Sequence, residues 1–178
     1  APLFEGLPVP DGVTVNDAHG NAVDLSAKLS AQPSILVFYR GGWCPYCNQH
    51  LSDLARVEPK LTDLGFEILA MSPDAPNTLK NFTVNHDFRY HLLSDSEHKA
   101  SDAFGLTFKV SDEMNKKLLN YGIDIEKAAG NAFRQLPVPG VFVISDGIIR
   151  FAYVNPDYKV RLDGNVLLAA AKSVAAKK

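Results

Sequence analysis

Only two cysteines, one tryptophan and two methionines occur in 178 residues. The two cysteines, Cys44 and Cys47, stand three apart, so a bond between them closes a tiny loop. Such a bond constrains the unfolded chain little, which makes a purely structural disulfide a poor reading. Zinc asks for about four ligands. His50 is a nearby third ligand type, but no second Cys-x-x-Cys and no His-x-x-x-His completes a set. Charge of one sign is also lacking: a net charge of −2 gives no reason to expect nucleic acid or an anionic membrane as partner. No apolar run approaches the roughly 18 residues of a membrane span. The longest, within residues 165–176, is alanine-rich and runs into Lys177 and Lys178. A signal-peptide pattern is absent, as are internal repeats, low-complexity segments and linkers. Ala1 at the first position is compatible with Met removal or leader cleavage. A cycling Cys-x-x-Cys suits cytoplasm and periplasm alike.

What remains is one informative stretch, Val37-Phe38-Tyr39-Arg40-Gly41-Gly42-Trp43-Cys44-Pro45-Tyr46-Cys47. Residues 35–39 are an apolar, β-forming run that reads as a buried strand. Gly41 and Gly42 permit a sharp exit. Pro45 suits the first helical position, where its missing N–H costs nothing. Cys44 is thereby placed at a helix N-terminus, where unpaired N–H groups and the dipole favour a thiolate; such cysteines have pKa values of about 3.5–7.5 against about 8.5 for a free thiol. Arg40 adds to this. Cys47, one turn on, is placed to attack a mixed disulfide or sulfenic acid on Cys44. Cys44 is expected to be the more exposed of the two, and Trp43 to wall it or simply to shield the strand end.

The rest of the chain reads as one α/β domain over residues 1–178. Val13–Val15 and Ala22–Val23 flank a polar loop, an N-terminal β-hairpin. A helical turn covers Leu25 to Leu29. The helix after Cys44 carries apolar residues at 47, 51, 54, 55, 61 and 64, with a kink or break expected near Glu58 because of Pro59, and an end at Gly65. Asn48, Gln49 and His50 are placed on its solvated face. Residues 66–71 form the next buried strand, giving a right-handed βαβ unit with the cysteines at the carboxyl end of its first strand. Asp74 is expected to cap a helix over 75–86, and Ser94 or Asp95 another to Phe104. Residues 106–135 break the alternation: helices over Asp112–Tyr121 and Asp124–Ala129 make an insertion over one end of the sheet, which fits plain padding first, and also a lid or a dimer contact. Val141–Ile144 and Ile148–Val154 read as an antiparallel pair, and Asp163 caps a last helix.

These pieces resemble the thioredoxin superfamily. Trp43-Cys44-Pro45-Tyr46-Cys47 is similar to its active-site turn, in the Cys-Pro-Tyr-Cys form typical of glutaredoxins. Val138-Pro139 resembles the superfamily's cis-proline loop, which lies against the disulfide and pairs with an extended substrate. The longer frame, from the hairpin through Met71-Ser72-Pro73-Asp74 to Val141–Gly147, resembles the alkyl hydroperoxide reductase/thiol-specific antioxidant (AhpC/TSA) family. Tyr39–Cys47 with Leu136–Pro139 is similar to its peroxiredoxin-like branch. The likeness spans about residues 10–176, with 106–135 the least similar. It implies a thioredoxin-like, peroxiredoxin-type fold with a central mixed β-sheet flanked by helices.

Three departures bear on function. Where typical peroxiredoxins have Pro and Thr or Ser before the reactive cysteine, this chain has Val37 and Gly41. Where they bring an Arg from just before the late strand, it has Pro139, leaving Arg40 or Arg134 to substitute. Where thioredoxins have a buried Asp, it has Phe38. The resulting expectation is a dithiol–disulfide exchanger with slower peroxide reduction, Cys44 the nucleophile and Cys47 the resolving thiol. Arg40, Trp43, Tyr46, Val138 and Pro139 line the substrate surface, and the Val138–Pro139 bond is cis. One alternative is a fully efficient thiol peroxidase using the same two cysteines; another is a non-catalytic binding domain on a redox scaffold. No metal or organic cofactor is implied. Electrons come from a thioredoxin- or glutathione-like thiol system, and the substrate is a disulfide or a peroxide.

Overall fold

A computed structural model describes residues 1–85 and 90–176, with residues 83–85 described only as part of a helix. The chain opens with an extended segment that bridges to the late hairpin through Pro8 and Ile148. Strands β1 (Thr14–Asp17) and β2 (Ala22–Asp24) form the expected antiparallel hairpin. Asp24 then caps α1 (Leu25–Ala31) by accepting the Ala27 N–H. Strand β3 (Ser34–Phe38) is buried along its whole length. It leads through Tyr39–Trp43 into α2 (Pro45–Asp63), which is followed by β4 (Glu67–Ser72), α3 (Pro76–Asn85) and β5 (His91–Ser94). The expected end of α3 at His86 lies outside the described residues.

β3, β4 and β5 are parallel, as the βαβ reading requires. Strand β8 (Gly140–Ser145) lies antiparallel to β3 and to β9 (Ile148–Val154). The central sheet has the order β2-β1-β5-β4-β3-β8-β9. Successive side chains on a strand face opposite sides, and β3 divides the interior accordingly. Ile35, Val37 and Tyr39 join the core under α2 and α7 (Gly164–Ala175). Leu36 and Phe38 join the opposite core with Leu25 and Leu29 of α1. Phe38 there completes an aromatic triad with Phe104 and Phe142, at centroid distances of 5.1–6.0 Å. Both cysteines belong to the α2/α7 side.

Helix α2 passes Pro59 without the expected break. Pro59 is exposed, while Val57 and Leu61 on either side are buried, so packing outweighs the one lost backbone bond. Its buried face is Cys47, His50, Leu51, Leu54, Val57 and Leu61. Asp74 does not cap α3; its carboxylate turns back toward the β3–α2 turn. Asp95 does serve the next helix, α4 (Lys99–Ala103), accepting the N–H groups of Ala100 and Ser101.

The insertion holds more than helices. Strands β6 (Thr107–Lys109) and β7 (Gln135–Pro137) pair antiparallel as a small second sheet. Between them lie α5 (Asp112–Asn120) and α6 (Ile125–Ala129), capped by Ser111 and Asp124 as helix-start chemistry dictates. Val110, Ile125 and Leu136 form a small core to which Trp43 also contributes. The insertion therefore packs on the residue beside Cys44.

Candidate active site

The site is built where β3 and β4 end. Gly41 adopts φ +146°, and a Cβ there would come within 2.3 Å of Trp43 Nε1. Only glycine lets the indole lie over the turn. Gly42 is held from both sides: its N–H donates to Asp74 Oδ2 at 2.7 Å, and its carbonyl accepts Asn48 Nδ2 at 2.8 Å. The Ser72 hydroxyl donates to the same Asp74 oxygen, while Asp74 Oδ1 is buried without a hydrogen-bond partner among the described residues. Burial raises the Asp74 carboxyl to about 6.

This scaffold sets Cys44 as the N-cap of α2 with Pro45 behind it. Cys44 is 1% exposed and Cys47 0%, so both sulfurs are buried, and the expected difference in exposure between them is very small; Trp43 packs on the same core and Arg161 reaches Cys47. The Cys44 thiol is pulled down to about 6. The first cause is the hydrogen bond from the Cys47 thiol; burial opposes it, and the Cys47 N–H, Arg40 and Arg161 add to the lowering. Cys47 moves the other way, raised by burial first and then by its proton's engagement with Cys44. The acidic member is thus the one at the helix start.

Two guanidinium groups meet at the dithiol. Arg40 is buried and sandwiched, its Cζ 4.2 Å from the Tyr158 ring centroid and 5.1 Å from that of Trp43. Arg161 donates from Nε to the Tyr158 carbonyl at 2.7 Å and from Nη2 to Cys47 Sγ at 3.2 Å. Arg40 Nε and Arg161 Nη1 are buried and without partners among the described residues. Tyr46 is exposed and meets Tyr158 edge-on at 5.6 Å, forming the outer rim.

Other expectations are corrected. Arg134 does not substitute at the site; it pairs with Glu126 and Asp112 in the insertion. His50 is not solvated: it is buried, its Nε2 meets the Leu162 carbonyl at 3.2 Å, and burial with the nearby Arg161 charge lowers it to about 4. Asn48 likewise faces inward to Gly42. Pro139 does follow the end of β3 in register, since Phe38 pairs with Gly140. Its peptide bond is trans, as no cis bond occurs among the described residues. The Val138 N–H is already donated to the Leu106 carbonyl at 2.8 Å, and the Pro139 carbonyl accepts from Asn155. These bonds hold residues 138–139 extended from β7 into β8, and that N–H is not free for a docking strand.

Sequence reasoning missed Arg161 and Tyr158, which sit in a loop without a motif, and the anchoring role of Asp74. His50 was within reach: it shares the helical spacing of Cys47, Leu51 and Leu54.

The AhpC/TSA family model matches residues 6–152. The chain is 32% identical over 105 residues to the putative peroxiredoxin bcp of Haemophilus influenzae, covering 59% of this chain and 66% of that protein. It is 27% identical over 114 residues to peroxiredoxin Bcp of Bacillus subtilis, covering 64% and 71%. Among solved structures, peroxidoxin BcpB of Mycobacterium tuberculosis matches with a TM-score of 0.72 at 18% identity, covering 97% of this chain and 98% of the other. Reduced Prx3 of Vibrio vulnificus in complex with H2O2 matches at 0.77 and 14%, covering 96% of each. The chain belongs to the AhpC/TSA family of thiol-dependent oxidoreductases and has its peroxiredoxin-type, thioredoxin-like fold.

Proposed function

We propose that this protein is a thiol-dependent peroxidase in which Cys44 attacks a hydroperoxide and Cys47 resolves the product as an intramolecular disulfide. The observation that carries this reading is the convergence of Arg40 and Arg161, each with an uncommitted buried N–H, on a dithiol that is almost fully enclosed. Peroxide cleavage needs donors for the oxygens as the O–O bond breaks, each worth about 3–4 kcal/mol when preorganised. The family's own positions for such donors are Gly41 and Pro139 here, so the guanidinium groups stand in for them. The Cys44 thiolate takes one oxygen to become a sulfenic acid, and the other leaves as water or alcohol after gaining a proton. Cys47 then forms the S–S bond and expels water, and an external dithiol of thioredoxin or glutathione type restores both thiols.

The enclosure argues for a small oxidant. A protein disulfide needs in-line access to Cys44 and a free backbone edge, and the Val138 N–H is committed to Leu106. Dithiol–disulfide exchange remains the second reading, favoured by the Cys-Pro-Tyr-Cys turn and by Tyr46, an exposed aromatic on the rim.

Stopped-flow fluorescence of Trp43, the sole tryptophan, tests the two against each other. Reduced protein is mixed with hydrogen peroxide, then with an oxidised model dithiol. The peroxidase reading expects faster oxidation by peroxide and sustained turnover with a dithiol reductant. Rapid oxidation by the disulfide, with peroxide slower than a free thiolate would be, overturns it.

A further inference from the structure

Cys47 faces a chemical difficulty that Cys44 does not. To resolve a sulfenic acid it must attack as a thiolate, yet it is completely buried in an apolar core, which disfavours the charged form. The dipole of α2 favours the first sulfur more than the second, because it falls off within the first turn. Among the described residues, one group of the opposite charge reaches Cys47 directly: Arg161 Nη2, 3.2 Å from Sγ. Its side chain is fixed by the Tyr158 carbonyl, and the next residue of its loop by His50, which meets Leu162 O from the buried face of α2.

From this we propose that Arg161 is a catalytic residue of the resolving step: it stabilises the Cys47 thiolate while that sulfur attacks Cys44. The inference rests on the reading of Cys47 as the resolving thiol. In this step the Cys47 thiol first releases its proton. Cys47 Sγ then bonds to Cys44 Sγ, the S–O bond of the sulfenic acid breaks, and the departing hydroxide takes up a proton as water. Sulfur oxidation states balance within the pair, and no further oxidant is needed. The charged and titratable groups around Cys47 are Cys44 and His50 on α2, Tyr39 and Arg40 at the end of β3, and Arg161. Arg161 is the cation that donates to its sulfur.

The arrangement separates two arginine roles. Arg40 lies between aromatic rings next to the nucleophile, whereas Arg161 contacts the second sulfur. Both face a bound peroxide, but removing the Arg161 side chain, unlike removing that of Arg40, also takes the donor from the attacking sulfur of the resolving step.

The test follows the resolving step alone, in two chemistries. In the first, reduced protein is oxidised by excess peroxide, and Cys44 sulfenic acid is trapped with dimedone at intervals. In the second, Cys44 is capped with the small reagent methyl methanethiosulfonate, and loss of methanethiol is followed by quench-flow mass spectrometry. The second arm makes the same Cys47–Cys44 bond without peroxide, so it stands even where the peroxidase reading fails. Arg161→Gln should slow disulfide formation about 10–100-fold in both arms, the usual effect of removing a hydrogen bond to a charged group. Its rate-against-pH curve in the methanethiol arm, where no peroxide has to be held, should move to higher pH, as loss of a donor to the charged form demands. Arg161→Lys, which keeps the charge, should recover part of the rate. An unchanged resolving rate in the methanethiol arm overturns the proposal. So does equal slowing by Gln and Lys together with lowered melting temperatures, which would mark a purely structural role.

Discussion

The carboxylate of Asp74, at the end of β4, accepts the N–H of Gly42 at 2.7 Å, two residues before Cys44. The strand beside β3 thereby fixes the turn that presents the nucleophile. The anchor has a cost, because the carboxyl is almost fully buried and burial raises it from 3.8 to about 6. A raised folded-state value means that the folded protein holds this proton more tightly than the unfolded chain. Its stabilising contribution is complete below pH 3.8 and is lost as pH rises through 6. Two units correspond to about 3 kcal/mol. Asp74→Asn keeps a carbonyl for Gly42 and removes the charge. Urea unfolding at pH 8 should find the variant more stable than the parent by about 1–3 kcal/mol, with the difference shrinking at pH 4.5. A variant less stable at both pH values would show that the charged carboxylate is compensated by the turn's N–H groups.

The acidity of Cys44 should depend on Cys47 before anything else, since the hydrogen bond from that thiol is the first cause of its lowering to about 6. Thiolate absorbance in the ultraviolet should show a transition near pH 6 in the parent. Cys47→Ser retains a hydroxyl donor and should titrate close to it. Cys47→Ala should titrate at least about one unit higher, as loss of a donor to the charged form demands. Matching curves for Ser and Ala would shift the cause to Arg40 and the helix terminus.

Gly41→Ala should be poorly tolerated. The new Cβ would lie 2.3 Å from Trp43 Nε1 and 3.0 Å from Asp74 Oδ1, at a backbone φ of +146°. Chemical denaturation should show a loss of about 1–3 kcal/mol, the usual cost of such strain. Emission of Trp43 should shift as the indole leaves the turn. Parent-like stability and emission would place the indole elsewhere.

The fold was legible because its signals are local. The apolar run at β3, the Gly-Gly turn, Pro45 and the hairpin at Ser145–Gly147 each name their own geometry. So does the cap at Asp163, which the structure reproduces. The strands β6 and β7 were not legible: three residues each, one carrying a proline, they exist through pairing with each other across the insertion. At the site, the sequence located both sulfurs, Arg40 and Trp43 but not Tyr158 or Arg161. Arg161 reaches Cys47 across 114 positions, and no periodicity or spacing encodes such a contact. The cis bond at Pro139 came from resemblance alone. The backbone bonds of Val138 and Pro139 instead hold an extended trans segment.

Tyr158 should govern how large an oxidant the site admits. Its ring covers one face of the Arg40 guanidinium at 4.2 Å, and the exposed Tyr46 leans on it edge-on. Removing the ring uncovers the Arg40 guanidinium where Tyr158 lies on it, while the Tyr158 backbone carbonyl that holds Arg161 survives substitution. Two effects then compete. Arg40 loses a cation–π partner worth about 0.5–2 kcal/mol, so its orientation toward a bound oxidant loosens. Space for a bulkier oxidant grows, and one missing group in a pocket is worth about 10–200-fold in discrimination. For hydrogen peroxide, which needs no extra space, only the first effect operates, and Tyr158→Ala should be a few-fold slower. For an aromatic hydroperoxide the second should dominate, so its rate relative to hydrogen peroxide should rise about tenfold or more, toward the low end of that discrimination range. Competition between the two oxidants in single-turnover Trp43 fluorescence gives this ratio directly. An unchanged ratio would mean that the oxidant enters from the Trp43 side, and that the insertion rather than Tyr158 sets its size.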